Sequence, residues 1–362
     1  MSLGVSFPTS VGVIRKAYRY DGGGERQTQR LLDTLTTLTR VDLFCLSWEL
    51  AEHSRQQYTV NLPAQNIESD IQFAEWAIRE ARENCVWIHG QDWIPGVDSI
   101  RLGDGLHSKF LKLVAQSSWV KNFQYLLPKH RAKLELEKKT LESATLKRVM
   151  ANSSMCMREF ETAYPGVADR LVRKVVHNPL SNVILNTELP ARGIVGNKLV
   201  FGFVGSGFKR KGLDLLIKAF ARVSKERAVE LYVVGHDRNV KAYKRLACSL
   251  GCGSLIKWLG PKESVHNILT DVDVLVHPAL YEPYGNVVAE ALSMGCFVIC
   301  SDRVGTQEFI HDGTGQVVPF DLGELTKAMI SVPDSWSKSL CRESVSHLTI
   351  EYYRSRLEDF FG

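Results

Sequence analysis

The feature that most constrains this chain is the stretch from His277 to Gly295, taken with the apolar run Val274-Leu275-Val276 just before it. That run reads as a buried parallel strand. A loop carrying Pro278, Pro283 and Gly285 interrupts it, and Val287 to Met294 then reads as a helix ended by Gly295. Strand, loop and helix alternate in the same way along the whole chain, which predicts parallel, doubly wound sheets. Two carboxylates bracket the loop. Glu282 stands at the strand's carboxyl end, and Glu290 lies four residues past Asn286, on the same helical face as the helix start. The Gly285-Asn286 amides at that start make a phosphate seat. Amides for a diphosphate, with a carboxylate on either side for hydroxyls, suit a sugar nucleotide.

The first half begins with a short strand, Val11 to Ile14, and a polar loop ending in Gly22, Gly23 and Gly24. A helix follows from near Glu25, with Leu31, Leu32, Leu35 and Leu38 at helical spacing. Strand, triple glycine and helix form a layout that lets backbone approach a bound phosphate or sugar, although a tight turn explains three glycines equally well. Further strands are expected at Val41 to Leu46 and Asn84 to Ile88, the latter ending at His89-Gly90. Leu180 to Lys198 is polar and irregular and reads as an interdomain linker. The second alternation starts with the apolar strand Leu199 to Val204, a glycine-rich basic loop from Gly205 to Gly212, and a helix from Leu213 to Val223. Strands are expected at 231–235, 255–258, 274–276 and 297–300, and a single closing helix over Ser344 to Phe361. The expected domains are 1–178, joined by the closing helix 345–362, and 179–344.

The chain's 362 residues are enough for two domains, and no apolar run is long enough to span a bilayer. The residues Met1 to Ser10 do not have the make-up of a secretory signal. Eight scattered cysteines lack zinc-site spacing and read as reduced thiols of a cytoplasmic protein. The net charge of +5 is uneven: between Arg101 and Met150 eleven Lys/Arg face four acids. Such a block implies an anionic partner, phosphate-rich lipid or nucleic acid. Within it, Ser108 to Leu127 interleaves aromatic and aliphatic residues with Lys109, Lys112 and Lys121. It reads equally as an interfacial membrane helix or as an ordinary helix packed on its own domain.

Arg210 and Lys211 follow a strand and glycines and precede a helix, the position where open α/β sheets bind ligands. Arg would neutralise a diphosphate through its planar fork and Lys as a point charge. The loop lacks the glycine spacing and Lys-Ser/Thr pair of a nucleotide-triphosphate P-loop. Asp271 and Asp273 fall between a helix and a strand's amino end, so they read as a turn feature, and no catalytic metal is expected. His89 and Asp104, each bordering a strand end in the first half, would face a cleft between the halves, with Asp104 in the permissive setting Gly103-Asp104-Gly105.

Set together, Val204 to Gly212, Val234-Gly235-His236-Asp237 and the Glu282 to Glu290 stretch resemble the family-4 retaining glycosyltransferases, and nearest them the lipopolysaccharide core glucosyltransferases of Gram-negative bacteria. Gly22 to Gly24 with Glu25-Arg26, Ser47-Trp48-Glu49, Pro95 to Asp98 and Asp104 fall in matching order in the first half. The chain departs from the family in a longer segment before Val11 and in glycine for an acid at 207. The resemblance implies a GT-B fold, two Rossmann-like domains facing across a cleft with the last helix crossing back to the first. It implies that Glu282 holds donor-sugar hydroxyls and Glu290 the nucleotide ribose. Arg210 and Lys211 would bind the diphosphate, with Ser206 and Gly235 beside them. Gly285, Asn286 and Val287 would hold the far phosphate, and Trp258, Leu259 and Gly260 would border the base. Gly22 to Gly24 would form the opposite wall, and Asp104 and His89 the acceptor side, with Glu282, Asp104, Arg210 and Lys211 carrying the catalysis.

The activity implied is retaining transfer of a hexose, glucose first, from a UDP-sugar to a lipopolysaccharide core or similar lipid-linked glycan. No metal or further cofactor and no nucleic-acid partner is implied. The enzyme would be cytoplasmic, peripheral on the inner membrane face through segment 108–131. A UDP-sugar 2-epimerase of the same fold is the alternative enzyme, and a transferase for another cell-surface glycan the alternative acceptor class. A GT-B protein that only binds sugar nucleotide or membrane is the non-catalytic alternative.

Overall fold

The computed structural model describes residues 7–18, 23–48, 57–116, 127–189, 198–262 and 264–362. The chain divides into two compact units, Met1–Asn178 with Glu351–Gly362, and Pro179–Ile350.

The strands in chain order are β1 (Ser10–Ile14), β2 (Ala17–Tyr18), β3 (Arg40–Phe44), β4 (Ser47–Trp48), β5 (Thr59–Asn61), β6 (Trp87–Gly90), β7 (Ser99–Leu102), β8 (Arg148–Ala151) and β9 (Val172–Val175) in the first unit. In the second they are β10 (Leu199–Val204), β11 (Val229–Val234), β12 (Ile256–Gly260), β13 (Val274–His277), β14 (Phe297–Ser301) and β15 (Gly315–Val318). The first unit's sheet runs β5-β3-β1-β6-β7-β8-β9 and the second's β12-β11-β10-β13-β14-β15, with every paired strand parallel. A small parallel pair, β2 with β4, stands apart. This is the α/β, doubly wound pattern that the alternation predicts, in the two units that the GT-B resemblance implies.

Strand order reverses once in each sheet. From β1 the chain builds outward through β3 and β5, then returns to place β6 on the other flank. From β10 it builds through β11 and β12, then returns to place β13 on the other flank. The loops leaving β10 and β13 therefore diverge from adjacent strands at the carboxyl edge, where such a sheet opens a crevice.

Both central strands of the second sheet are fully buried, as unbroken apolar runs require when helices cover both faces. The helix Leu213–Val223 buries Leu213, Leu216, Ile217, Phe220 and Val223, one stripe at helical spacing. Asp273 is buried at the amino end of β13, where its Oδ2 accepts from the Val200 amide at 2.8 Å. That is the structural role read for it from its place between helix and strand.

Two expected elements differ. The closing helix is not continuous over 344–361: one helix ends at Glu343 and another runs from Ile350 to Phe361. The interval is where the chain changes core. Val345 and Leu348 pack in the second unit, whereas Tyr353, Leu357, Phe360 and Phe361 are buried in the first. The expected linker also begins as core, because a short helix, Asn182–Asn186, sets Leu180 and Ile184 into the second unit's apolar cluster. A third expectation is only partly visible. Of the predicted 108–127 helix, His107–Gln116 is described and buries Leu111, Leu113 and Val114, while 117–126 lies outside the described residues. Where it is described, the helix turns its apolar face to its own unit.

All eight cysteines are free and seven are buried. Among the described residues no helix is long and apolar enough to cross a membrane, and no group of three or more His, Cys, Asp or Glu could hold a metal ion.

Candidate functional site

The site of the second unit is built from four loops at one sheet edge. Gly205, at φ 151°, has its carbonyl against Gly235, and a Cβ on Gly235 would collide with that carbonyl. The loop after β11 is thus laid directly on the loop after β10. Two further bonds secure it: the Phe208 amide donates to Asp237 Oδ2 at 2.9 Å, and the His236 amide to Ser206 Oγ at 3.3 Å. Gly212 caps the Leu213–Val223 helix at φ 77°, where a Cβ would fall on the Pro278 carbonyl. The Leu280 amide donates to the Arg210 carbonyl at 2.8 Å and the Arg210 Nη1 to the Tyr281 carbonyl at 3.0 Å. Those contacts tie the loop after β10 to the loop after β13. Finally, the Glu282 amide donates to the Arg303 carbonyl, and the Glu282 carbonyl accepts from Gly305, which pins the loop after β14.

At the centre of this frame lies Glu282. Its Oε2 accepts from Arg210 Nη1 at 2.7 Å and from Lys211 Nζ at 2.8 Å. The carboxylate is 15 % exposed, so the pair with Lys211 is well shielded, while Arg210 reaches it from a more open position. Burial would by itself push its pKa up, but the Lys211 and Arg210 charges outweigh that and hold it well below the usual carboxylate range. The carboxylate is ionised, and one anionic oxygen is shared between two cations. Such a cluster binds a second anion readily, because the cations carry more charge than Glu282 cancels.

The helix Asn286–Ser293 starts at Gly285, which has φ 92° and so close an approach to Val304 and Thr306 Oγ1 that a side chain there would displace them. The leading N–H groups of that helix face the same edge as Arg210 and Lys211. Glu290 is half-buried one turn further on, and Asn286 and Val287 form the first turn. Trp258, Leu259 and Gly260 end β12 and are half-buried, with Lys244 Nζ 5.7 Å from the Trp258 ring centre. The Gly235 amide donates to the Gly260 carbonyl at 2.9 Å. The second-unit residues singled out in the sequence thus belong to the loops, the end of β12 and the first two turns of a helix at one sheet edge.

In the first unit, the carboxyl edge carries Arg15, Asp92 and Asp104. Arg15 Nη1 donates to Asp92 Oδ1 at 3.1 Å and to the Gln91 carbonyl at 3.3 Å, and lies 4.0 Å from Asp104 Oδ2. Asp104 is 81 % exposed and points to solvent. Gly23 and Gly24 open the helix Gly23–Thr36, while Gly22 lies outside the described residues.

His89 requires a correction. Its ring is fully buried, with Nδ1 2.9 Å from Ser99 Oγ and Nε2 2.8 Å from Gln91 Nε2. Phe360 and Phe361 stand edge-on to it at 6.1 and 5.4 Å. Burial, helped by the nearby Arg101 charge, lowers its pKa to about 3. Both nitrogens are occupied and the ring is neutral, so His89 is a core histidine and not an acceptor contact. Its place at a strand end is what made it look otherwise.

Sequence reasoning passed over His277. It ends β13 and is fully buried, its ring nitrogens have no hydrogen-bond partner, and Nε2 lies 3.9 Å from Glu282 Oε2. A polar residue closing an apolar strand next to the key loop is the signal that could have found it.

Comparison with known proteins agrees with this arrangement. The family described as glycosyl transferases group 1 matches residues 198–334, the span holding all the loops above. The lipopolysaccharide glucosyltransferase WaaG of Escherichia coli K12 is 26 % identical over 331 residues, 85 % of either chain. A crystal structure of WaaG, a glycosyltransferase involved in lipopolysaccharide biosynthesis, superposes with a TM-score of 0.77 at 22 % identity, covering 96 % of this chain and 98 % of that one. HepE of Anabaena in complex with UDP superposes at 0.71 and 16 % identity, covering 97 % and 98 %. Residues 198–334 thus match a glycosyl transferase group 1 domain, and the chain has GT-B architecture and is similar to an enzyme of lipopolysaccharide biosynthesis.

Proposed function

We propose that the chain transfers a hexose, glucose before others, from a UDP-sugar to a lipopolysaccharide core or similar lipid-linked oligosaccharide, with retention of anomeric configuration and without a metal. The observation that carries this reading is the Arg210–Lys211 pair on the Glu282 carboxylate, held where the second sheet reverses its strand order. The UDP bound to HepE and the glucosyltransferase activity in WaaG's name support the donor class.

In this reading Arg210, Lys211 and the amides of Gly285, Asn286 and Val287 take the diphosphate, with Ser206 and Gly235 lining the loop. Fixed cations and helix-start dipoles stabilise the charge that develops on the leaving diphosphate, where electrostatic catalysis is largest. Glu282 holds hydroxyls of the sugar, Glu290 the ribose, and the Trp258 to Gly260 turn the base. In place of the second close carboxylate that retaining hydrolases use, the leaving phosphate oxygen takes the acceptor proton on the same face. Asp104 is the exposed group of the first unit that fits an acceptor hydroxyl. The basic segment 108–131 supplies attraction to anionic lipid of about 1 kcal/mol per Lys or Arg near the surface.

The deciding experiment offers the protein UDP-glucose, UDP-galactose and UDP-GlcNAc by turns, with and without truncated core lipopolysaccharide, and follows donor and product by mass spectrometry. Acceptor-dependent consumption of one donor, yielding an α-linked product, is expected. A new epimer formed without acceptor would replace this reading with the epimerase.

A further inference from the structure

The mechanism leaves a buried polar group beside Glu282 unused. His277 is entirely enclosed at the end of β13, and neither ring nitrogen has a hydrogen-bond partner. An unpartnered buried donor costs about 1–3 kcal/mol, so a native structure that keeps one has a use for it. The Lys211 and Arg210 charges act on the ring, and Nε2 faces Glu282, whose Oε2 is 3.9 Å away. That separation is about 1 Å beyond a hydrogen bond. Meanwhile the same oxygen is held from the other side by Arg210 at 2.7 Å and Lys211 at 2.8 Å.

A diphosphate changes this balance. It carries more charge than one carboxylate and draws on the same two cations, so Arg210 and Lys211 turn from Glu282 toward it. A shielded carboxylate that loses two ion pairs must find other donors, because an uncompensated buried charge costs several kcal/mol. Sugar hydroxyls can supply some of them. The remaining donor already stands in the protein at 3.9 Å.

We propose that His277 is the positioning residue that receives Glu282 when the donor arrives: its Nε2–H replaces Arg210 and Lys211 on Oε2 and fixes the carboxylate toward the sugar. The ring stays neutral in this exchange, and Nδ1 carries no proton. Glu282 thus has two settings, one hung on the cations and one on the imidazole. This rests on the diphosphate reading of Arg210 and Lys211.

The test uses the full chain with ¹⁵N-labelled histidine, titrated with UDP and then UDP-glucose, with the His277 signal assigned by its loss in His277→Gln. Calorimetry on the same samples reports nucleotide binding independently. The expected result is that saturating UDP-glucose slows exchange of the His277 Nε2 proton and shifts it downfield, as a new bond to a carboxylate does. Removing the donor, as in His277→Leu, should leave the UDP dissociation constant within about twofold yet lower kcat by about 10- to 100-fold, the worth of a hydrogen bond to a charged group. His277→Gln, which retains an N–H near the same place, should recover most of that loss. Nucleotide bound with an unmoved His277 signal would overturn the exchange while leaving the diphosphate site intact. No UDP binding by the wild-type protein would overturn both. A folded His277→Leu protein with normal kcat would also end the proposal.

Discussion

The two sheets reach their carboxyl edges in opposite electrostatic conditions. In the second unit the carboxylate is sheltered and neutralised from within, Glu282 lying under Arg210 and Lys211 while four loops hold all three in place. In the first unit Arg15 is engaged with Asp92, and Asp104 reaches 81 % exposed into water. The difference teaches what each edge can take. The second is a closed charge circuit that an anion enters by exchange, and it needs a ligand able to outbid a carboxylate. The first offers an open acceptor of hydrogen bonds to whatever approaches through solvent, with only the 4.0 Å Arg15–Asp104 pair to disturb.

The sharpest way to break this contrast is Glu282→Gln. It frees both cations without emptying the space, so UDP affinity should hold or rise while transfer falls by about a thousandfold, as losing a group placed on the reacting sugar implies. Calorimetry beside a transfer assay decides it, and weakened UDP binding would mean that Glu282 organises the cations instead of competing with the ligand. Next in size is the acid response of the first unit. His89 is neutral when folded and its pKa is lowered to about 3, so below about pH 6.5 the unfolded chain binds the extra proton. Its contribution is complete above that range and falls away as pH drops toward 3, by roughly 5 kcal/mol at full effect, of which roughly 3 is lost by pH 4. Thermal unfolding from pH 7 to pH 4 should therefore be steeper in the wild type than in His89→Gln. Glu282 behaves in the same sense at lower pH: its depressed pKa keeps its contribution intact above the ordinary carboxylate range and loses it as pH falls below that range.

Lys211→Ala should weaken UDP binding by about tenfold to a hundredfold, the loss of one charge-assisted contact. Unchanged affinity would take the lysine out of the phosphate site. The smallest effect belongs to the first unit's surface: Lys112→Glu should lower affinity for anionic vesicles by about tenfold, as a change of sign beside lipid gives. Vesicle sedimentation that is blind to Lys112 and to Lys121 together would remove segment 108–131 from the membrane.

How much of this was legible follows from what each signal depends on. Val274 to Val276 and Leu199 to Val204 announce buried strands because burial on both faces leaves no polar position, and the parallel sheets follow. Arg210, Lys211 and Glu282 could be named because they sit where strands end. Their mutual ion pairs could not, since 71 residues separate Lys211 from Glu282 and only the β10–β13 adjacency brings them together. His89 and His277 show the limit most clearly. Each stands at the carboxyl end of a strand, yet one is saturated by Ser99 and Gln91 and the other makes no hydrogen bond, its Nε2 3.9 Å from Glu282. Local sequence does not carry that distinction, because the partners come from other strands and loops.

The last helix gives the chain an order of completion. Its residues Tyr353, Leu357, Phe360 and Phe361 fill the first unit's core, and Arg148 reaches the Phe360 carbonyl. During synthesis the strands β1 to β9 emerge early, but the cover for His89 comes with the final dozen residues, after the whole second unit has left the ribosome. The half of the molecule made first is thus the half finished last. Until then its sheet presents an unfilled apolar face, the period in which a chaperone has most to do.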